Sequence, residues 1–209
     1  MCLVRWRGRR VLLPPGIEPV PGPSLLLATC YSSSPVGPFL ELVVAQPARL
    51  GLRVGWCQSC SVVDSASARM GGRLNWGFPH VLGSLVWSAD GDARSLRWSE
   101  RGIEVRGTRT GPPVPWLLPM RALQQRRGGG VIVPSRLRGH GHMASVDVSV
   151  ADAEPGSDHE FDGLAGLAGR HHGLVVGSLR YRLARARTPG GATASFVAPL
   201  RVPEGAIGA

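Results

Sequence analysis

The sequence predicts a mostly β protein, an antiparallel barrel or cone carrying one or two short helices. Three observations predict it. Glycine and proline are abundant, at 29 and 18 residues, so turns are frequent. Apolar runs are short and bounded by those turns. Several runs alternate apolar and polar residues with the period of two that a half-buried strand demands. At 209 residues and with no break in composition, a single domain spanning 1–209 is expected.

Taken in order, the candidate strands cover residues 10–13, 24–31, 39–45, 52–63, 84–88, 102–108, 114–118, 131–134, 144–151 and 174–186. Ser145-Val146-Asp147-Val148-Ser149-Val150 sets valines on one face and polar residues on the other. Leu179-Arg180-Tyr181-Arg182-Leu183 does the same with arginines, and Gly102-Ile103-Glu104-Val105-Arg106 repeats the pattern. Ala89-Asp90-Gly91-Asp92-Ala93 is a hairpin signal, because Asp-Gly reaches the positive φ of tight hairpin turns. Residues 64–70 are expected to form the clear helix, with Asp64 as its cap and a stop at Gly71-Gly72. Residues 162–168 offer a second short helix, interrupted by Gly163 and Gly166. The five acids within 152–162 lie among Gly, Ser and Pro and read as a solvated loop. The tail beyond about residue 203 reads as loosely held.

All 24 cationic side chains are arginine, and the sequence contains no lysine. GC-rich codons give such a skew, so the arginine content records a genome as well as a function. A formal net charge of +10 favours anionic partners. The arginines are nevertheless spread along the chain, without the block that makes a binding tail. That dispersal argues against a nucleic-acid role. Val11-Leu12-Leu13 ahead of Pro14-Pro15 is too short for the apolar core of a secretion signal. No apolar run approaches the ~20 residues of a bilayer span. A cytoplasmic protein is expected, with Cys2, Cys30, Cys57 and Cys60 reduced.

Cys57 and Cys60 have CxxC spacing but no second pair, and an extended strand sends residues three apart to opposite faces. His140 and His142 share a strand face but have no carboxylate or thiolate beside them. No metal and no cofactor are assigned. Gly128-Gly129-Gly130 lacks the Lys-Ser/Thr of a phosphate-cradling loop, and Arg126-Arg127 before it reads as a solvated loop.

Two stretches carry the most information. Ser34-Pro35-Val36-Gly37-Pro38-Phe39-Leu40-Glu41 is a small-residue turn, then an aromatic, then a glutamate opening a strand. Gly72-Arg73-Leu74-Asn75-Trp76-Gly77-Phe78-Pro79-His80-Val81-Leu82-Gly83 follows after an apolar strand and a short Ala/Ser helix. Together with their spacing, these stretches resemble the acetoacetate decarboxylase superfamily over residues 23–90. The resemblance implies a β barrel whose enzymes form an imine between a buried lysine and a β-keto acid. A neighbouring cation and an apolar pocket activate that lysine. Here the family's two lysine positions fall on His80 and Val81, and the glutamate of its Gly-Arg-Glu falls on Leu74. The family's N-terminal portion looks shortened. Its large oligomers imply self-association.

These departures leave open what the pocket does. One reading is a barrel that binds a small keto or enol acid without imine-based decarboxylation. The alternative is a lyase- or hydratase-type enzyme in which His80 and Glu41 act as acid and base, since an imidazole titrates near neutral pH without help. Arg73, Asn75, Trp76 and Phe78 are the expected substrate-binding residues in either case. An arginine-rich nucleic-acid-binding protein is a further alternative.

Overall fold

The computed structural model describes residues 1–6, 12–151 and 166–193. The sequence readings for 152–162 and for the C-terminal tail lie outside these residues, as does most of the expected helix over 162–168. Strand β1 is Cys2–Trp6, β2 is Glu18–Pro19, β3 is Ser24–Tyr31, β4 is Phe39–Leu50 and β5 is Arg53–Val63. Helix α1 (Ala66–Trp76) follows, then β6 (His80–Leu82), β7 (Leu85–Asp90), β8 (Ala93–Trp98) and β9 (Ile103–Arg109). The chain then runs through β10 (Val114–Arg126), β11 (Gly129–Val150) and β12 (Gly169–Leu183).

Neighbouring strands follow the order β10-β5-β4-β3-β1-β12-β11-β9-β8-β7, and β10 also pairs β11. That extra pairing closes the first seven strands into a barrel and leaves β9, β8 and β7 as a sheet continuing outward from β11. Antiparallel pairs dominate, but β10 meets β5 in parallel at Ala122 and Trp56, and β6 runs parallel to β5. The sheet is therefore mixed, where the sequence suggested an antiparallel one. Local alternation cannot show strand direction. The expected strand over 10–13 falls partly outside the described residues, and Leu12 and Leu13 lie outside any strand.

Two apolar layers hold the barrel. Leu3, Leu25, Leu137 and Val176 cluster on its inner side with the partly buried Trp116 and Met120. Val4, Leu26, Leu42 and Val62 face outward and are covered by Leu96 and Val105 of the flanking sheet. Strands β1, β3 and β4 are thus buried on both faces, and for that reason β3 and β4 read as continuous apolar runs. A bulge in β5 skips Ser59, with Val44 opposite Cys60 and Ala45 opposite Gln58. It resets the alternation, so Cys57 and Cys60 face the same side, contrary to the parity of an unbroken strand. They sit in separate clusters, and all four cysteines are free.

Helix α1 continues through Gly71-Gly72 and ends at Gly77 in the left-handed region, φ 72°. The Ser65 hydroxyl accepts from Ala68 N and caps it, a role the sequence had suggested for Asp64. Asp64 instead accepts a hydrogen bond from Leu40 N at 2.7 Å and ties the start of β4 to the end of β5. The β10–β11 turn is a tight hairpin with Arg127 and Gly128 at positive φ, 50° and 79°. Arg126 is buried, not solvated, and its Nε donates to Leu74 O at 2.6 Å.

Candidate functional site

Antiparallel pairing of β3 with β4 sets Thr29 opposite Glu41 and Tyr31 opposite Phe39, all on the inner side of the barrel. The next strand over, β5, contributes Ser61 to that side. Parallel pairing of β6 with β5 sets His80 beside Ser61. The four residues nearest one another, Tyr31, Glu41, Ser61 and His80, thus come from four strands.

Glu41 is buried and its two oxygens are both engaged. Tyr31 Oη donates to Oε2 at 2.9 Å, and Ser61 Oγ donates to Oε1 at 3.2 Å. His80 Nε2 lies 3.1 Å from the same Oε1. The geometry there falls short of a hydrogen bond, and Nε2 has no other hydrogen-bond partner among the described residues. On the ring's other side Nδ1 faces Ala68 O at 3.2 Å. A carbonyl oxygen only accepts, so Nδ1 carries a proton. Nε2 is the atom left to exchange one with Glu41 or with a ligand.

Helix α1 sets the ring's position. Its inward face is Ala68, Gly71, Gly72 and Asn75, at helical spacing. A Cβ on Gly72 would lie 2.3 Å from His80 Nδ1 and Cε1, so only glycine admits the imidazole against the helix. Phe78 is buried, its ring 5.5 Å from that of His80, and Trp76 stacks on Phe78 at 5.9 Å. Trp76 Nε1 donates to Ala184 O at 3.0 Å, fastening the end of the helix to the segment after β12.

Burial, and then the Glu41 carboxylate, push the Tyr31 hydroxyl well above the usual phenol range. Tyr181, 6.4 Å away ring to ring, is pushed up by the same two causes. Both rings are partly exposed but their hydroxyls are sunk in the wall. Both stay protonated beside the carboxylate, and Tyr31 donates its proton to it.

These groups line a cavity of about 1790 Å³. It reaches the surface between the end of β3 and the middle of β12, where Cys30, Ser32, Gly177 and Ser178 are exposed. Of the residues singled out in the sequence, Glu41, His80, Asn75, Trp76 and Phe78 line the cavity together. Arg73 does not. It lies on the exposed face of the last turn of α1, where its charge favours the helix dipole. Leu74 is exposed beside it, and Val81 turns away from the cavity toward the outer core. Tyr31, Ser61, Gln58 and Tyr181 were not picked out. Tyr31 had a signal: two-residue steps out from the Ser34–Gly37 turn place it on Glu41's face. Among the described residues, no three His, Cys, Asp or Glu side chains gather as a metal site would require.

The fold and site define a barrel with a buried carboxylate and imidazole facing a large cavity that opens to the surface. The acetoacetate decarboxylase family model matches residues 8–150, and the chain belongs to that family. Its fold is that of the acetoacetate decarboxylase of Legionella pneumophila, at 13% identity over 88% of this chain and 84% of that one, TM-score 0.58. It is also similar to the enduracididine biosynthesis enzyme MppR complexed with pyruvate, at 20% identity, TM-score 0.59, covering 90% and 86% of the two chains. An acetoacetate decarboxylase-like enzyme from Sphingomonas wittichii RW1 matches at 14% identity and TM-score 0.61, covering 92% and 88%. No curated protein matches the chain.

Proposed function

We propose that this chain binds a small keto or enol acid in the barrel cavity, with the substrate carbonyl set against His80 and Glu41. The observation that carries the reading is the His80–Glu41 contact at 3.1 Å inside the cavity, organised by Tyr31 and Ser61. A relative of the same fold complexed with pyruvate supports that ligand class. The sequence has no lysine, which supports a route without an imine on a lysine side chain. Turnover then rests on proton transfer. The Glu41 carboxylate removes a proton from the carbon next to the carbonyl while His80 Nε2–H hands one to the carbonyl oxygen, giving an enol. The C–H bond breaks, the O–H bond forms, and the pair ends with the proton moved from His80 to Glu41.

The test follows pyruvate in D2O by proton NMR. The parent protein is expected to exchange the methyl protons, and Glu41→Gln and His80→Ala to lose that exchange by at least tenfold each. Binding of pyruvate with no exchange would leave a binding-only barrel. Absence of both would end the proposal. Incubation with acetoacetate and borohydride is expected to leave no adduct on any internal side chain. A mass increase mapped to an internal peptide would contradict the proton-transfer reading.

A further inference from the structure

The arginines that are scattered in the sequence are gathered by the fold. Residues 114–143 and 169–193 carry ten arginines and no acid. In the β11–β12 register Arg138 stands directly opposite Arg180, and Arg136 directly opposite Arg182. All four alternate with the inward residues Leu137, Leu179, Tyr181 and Leu183, and all four are exposed. Directly opposed Cβ atoms lie about 5 Å apart, and successive same-face positions about 7 Å apart along a strand. The four side chains therefore rise from one small rectangle. His140 continues the β11 row on the same face, and Leu117 of β10 flanks Arg138. Arg138, Arg180 and Arg182 also border the cavity where it opens.

Like charges directly opposite one another destabilise a sheet. Among the described residues no carboxylate pairs with these four; the ion pairs of Arg49, Arg97, Arg109 and Arg170 lie elsewhere. One carboxylate neutralises one of four guanidinium groups. A multiply charged phosphate neutralises most of them and matches their forked donors.

We propose that Arg136, Arg138, Arg180 and Arg182 form an anion platform beside the cavity mouth that holds the di- or triphosphate-like end of a ligand. The cavity volume, about 1790 Å³, exceeds the roughly 300–1,000 Å³ of ordinary small-molecule pockets. It leaves room for a ligand far larger than a three-carbon acid.

Inorganic pyrophosphate, titrated calorimetrically at low ionic strength, tests the platform. It carries no keto group, so the result does not depend on Glu41 or His80. The double variant Arg138→Gln/Arg180→Gln is expected to weaken binding at least tenfold. The control Arg53→Gln/Arg69→Gln removes the same charge from exposed sites elsewhere and is expected to change it less than twofold. Equal weakening in both variants, or no binding to the parent, overturns the proposal. So does a single-stranded oligonucleotide that binds more tightly than pyrophosphate and is lost in the platform variant, because the face is then a nucleic-acid surface.

Discussion

At the scale of single residues, the site is a charge held in place by neutral donors. Glu41 is a buried acid whose oxygens face two hydroxyls and one imidazole, the arrangement that keeps a buried carboxylate from costing the fold. Tyr31→Phe removes one of those donors. It is expected to lower stability by about 1.5–3 kcal/mol, the usual range for a hydrogen bond to a charged group, read by urea unfolding at pH 7. The thiols offer a separate measurement. Burial pushes the Cys57 thiol up to about 12 from an ordinary value of 9.0. The folded chain keeps the proton that the unfolded chain gives up, so this contribution is whole below pH 9 and is lost as pH rises toward 12. Over that window the unfolding free energy is expected to fall by about 1.4 kcal/mol per pH unit from this thiol. Cys57→Ala should make the urea midpoint less steep in pH. An unchanged slope would mean the thiol ionises as easily folded as unfolded.

At the scale of elements, two adjacent glycines of α1 make a matched experiment. A Cβ at Gly72 collides with the His80 ring at 2.3 Å, whereas one at Gly71 meets only Val36 Cγ1 at 3.8 Å. Gly71→Ala is expected to stabilise the protein by roughly 0.5–1 kcal/mol through helix propensity. Gly72→Ala is expected to cost about 1–3 kcal/mol and to displace His80, with ligand binding lost alongside. Thermal unfolding and pyruvate titration of the two variants check this, and similar behaviour of the pair would refute it. The same helix marks where sequence reading stopped short. Gly71-Gly72 read as a helix end because glycine usually is one, but here the missing side chains make room for a partner far along the chain. The strands whose outer face meets water, at 145–150 and 179–183, were legible from their alternation. Strands β1, β6 and β8 were not singled out; β1 is apolar on both faces and β6 is three residues long. The hairpin at Asp90-Gly91 is legible in the sequence, but its second strand, β8, is not, since only Leu96 and Trp98 of its six residues are buried. Arg73 was placed in the site by motif, and the turn-by-turn rotation of α1 carries it to the opposite side.

At the scale of the molecule, the inner and outer apolar layers share the same strands, so neither can melt alone. Leu25→Ala, in the inner layer, and Leu26→Ala, in the outer one, are each expected to cost about 2–5 kcal/mol. Both should leave a single cooperative transition by fluorescence and by far-ultraviolet dichroism. Two separated transitions in either variant would show that the layers are independent. The charge distribution belongs to this scale as well. Read along the chain, the arginines look dispersed; read across β10, β11 and β12, they share a wall. Register is what converts one into the other, and register depends on pairings between strands remote in sequence.

The barrel wall also has a schedule. Strand β1 is hydrogen-bonded on one side to β3 and on the other to β12, with Leu3 opposite both Leu27 and Leu174. A ribosome adding about 5–20 residues per second needs on the order of ten to thirty seconds to make the second of those neighbours after the first strand emerges. Until then one apolar edge of β1 has nothing to pair with, and the inner leucines have no opposite wall. Such long-range closure is slow even in the finished chain. The nascent protein therefore spends its most adhesive interval waiting for β12, and the demand for a chaperone should fall on that interval.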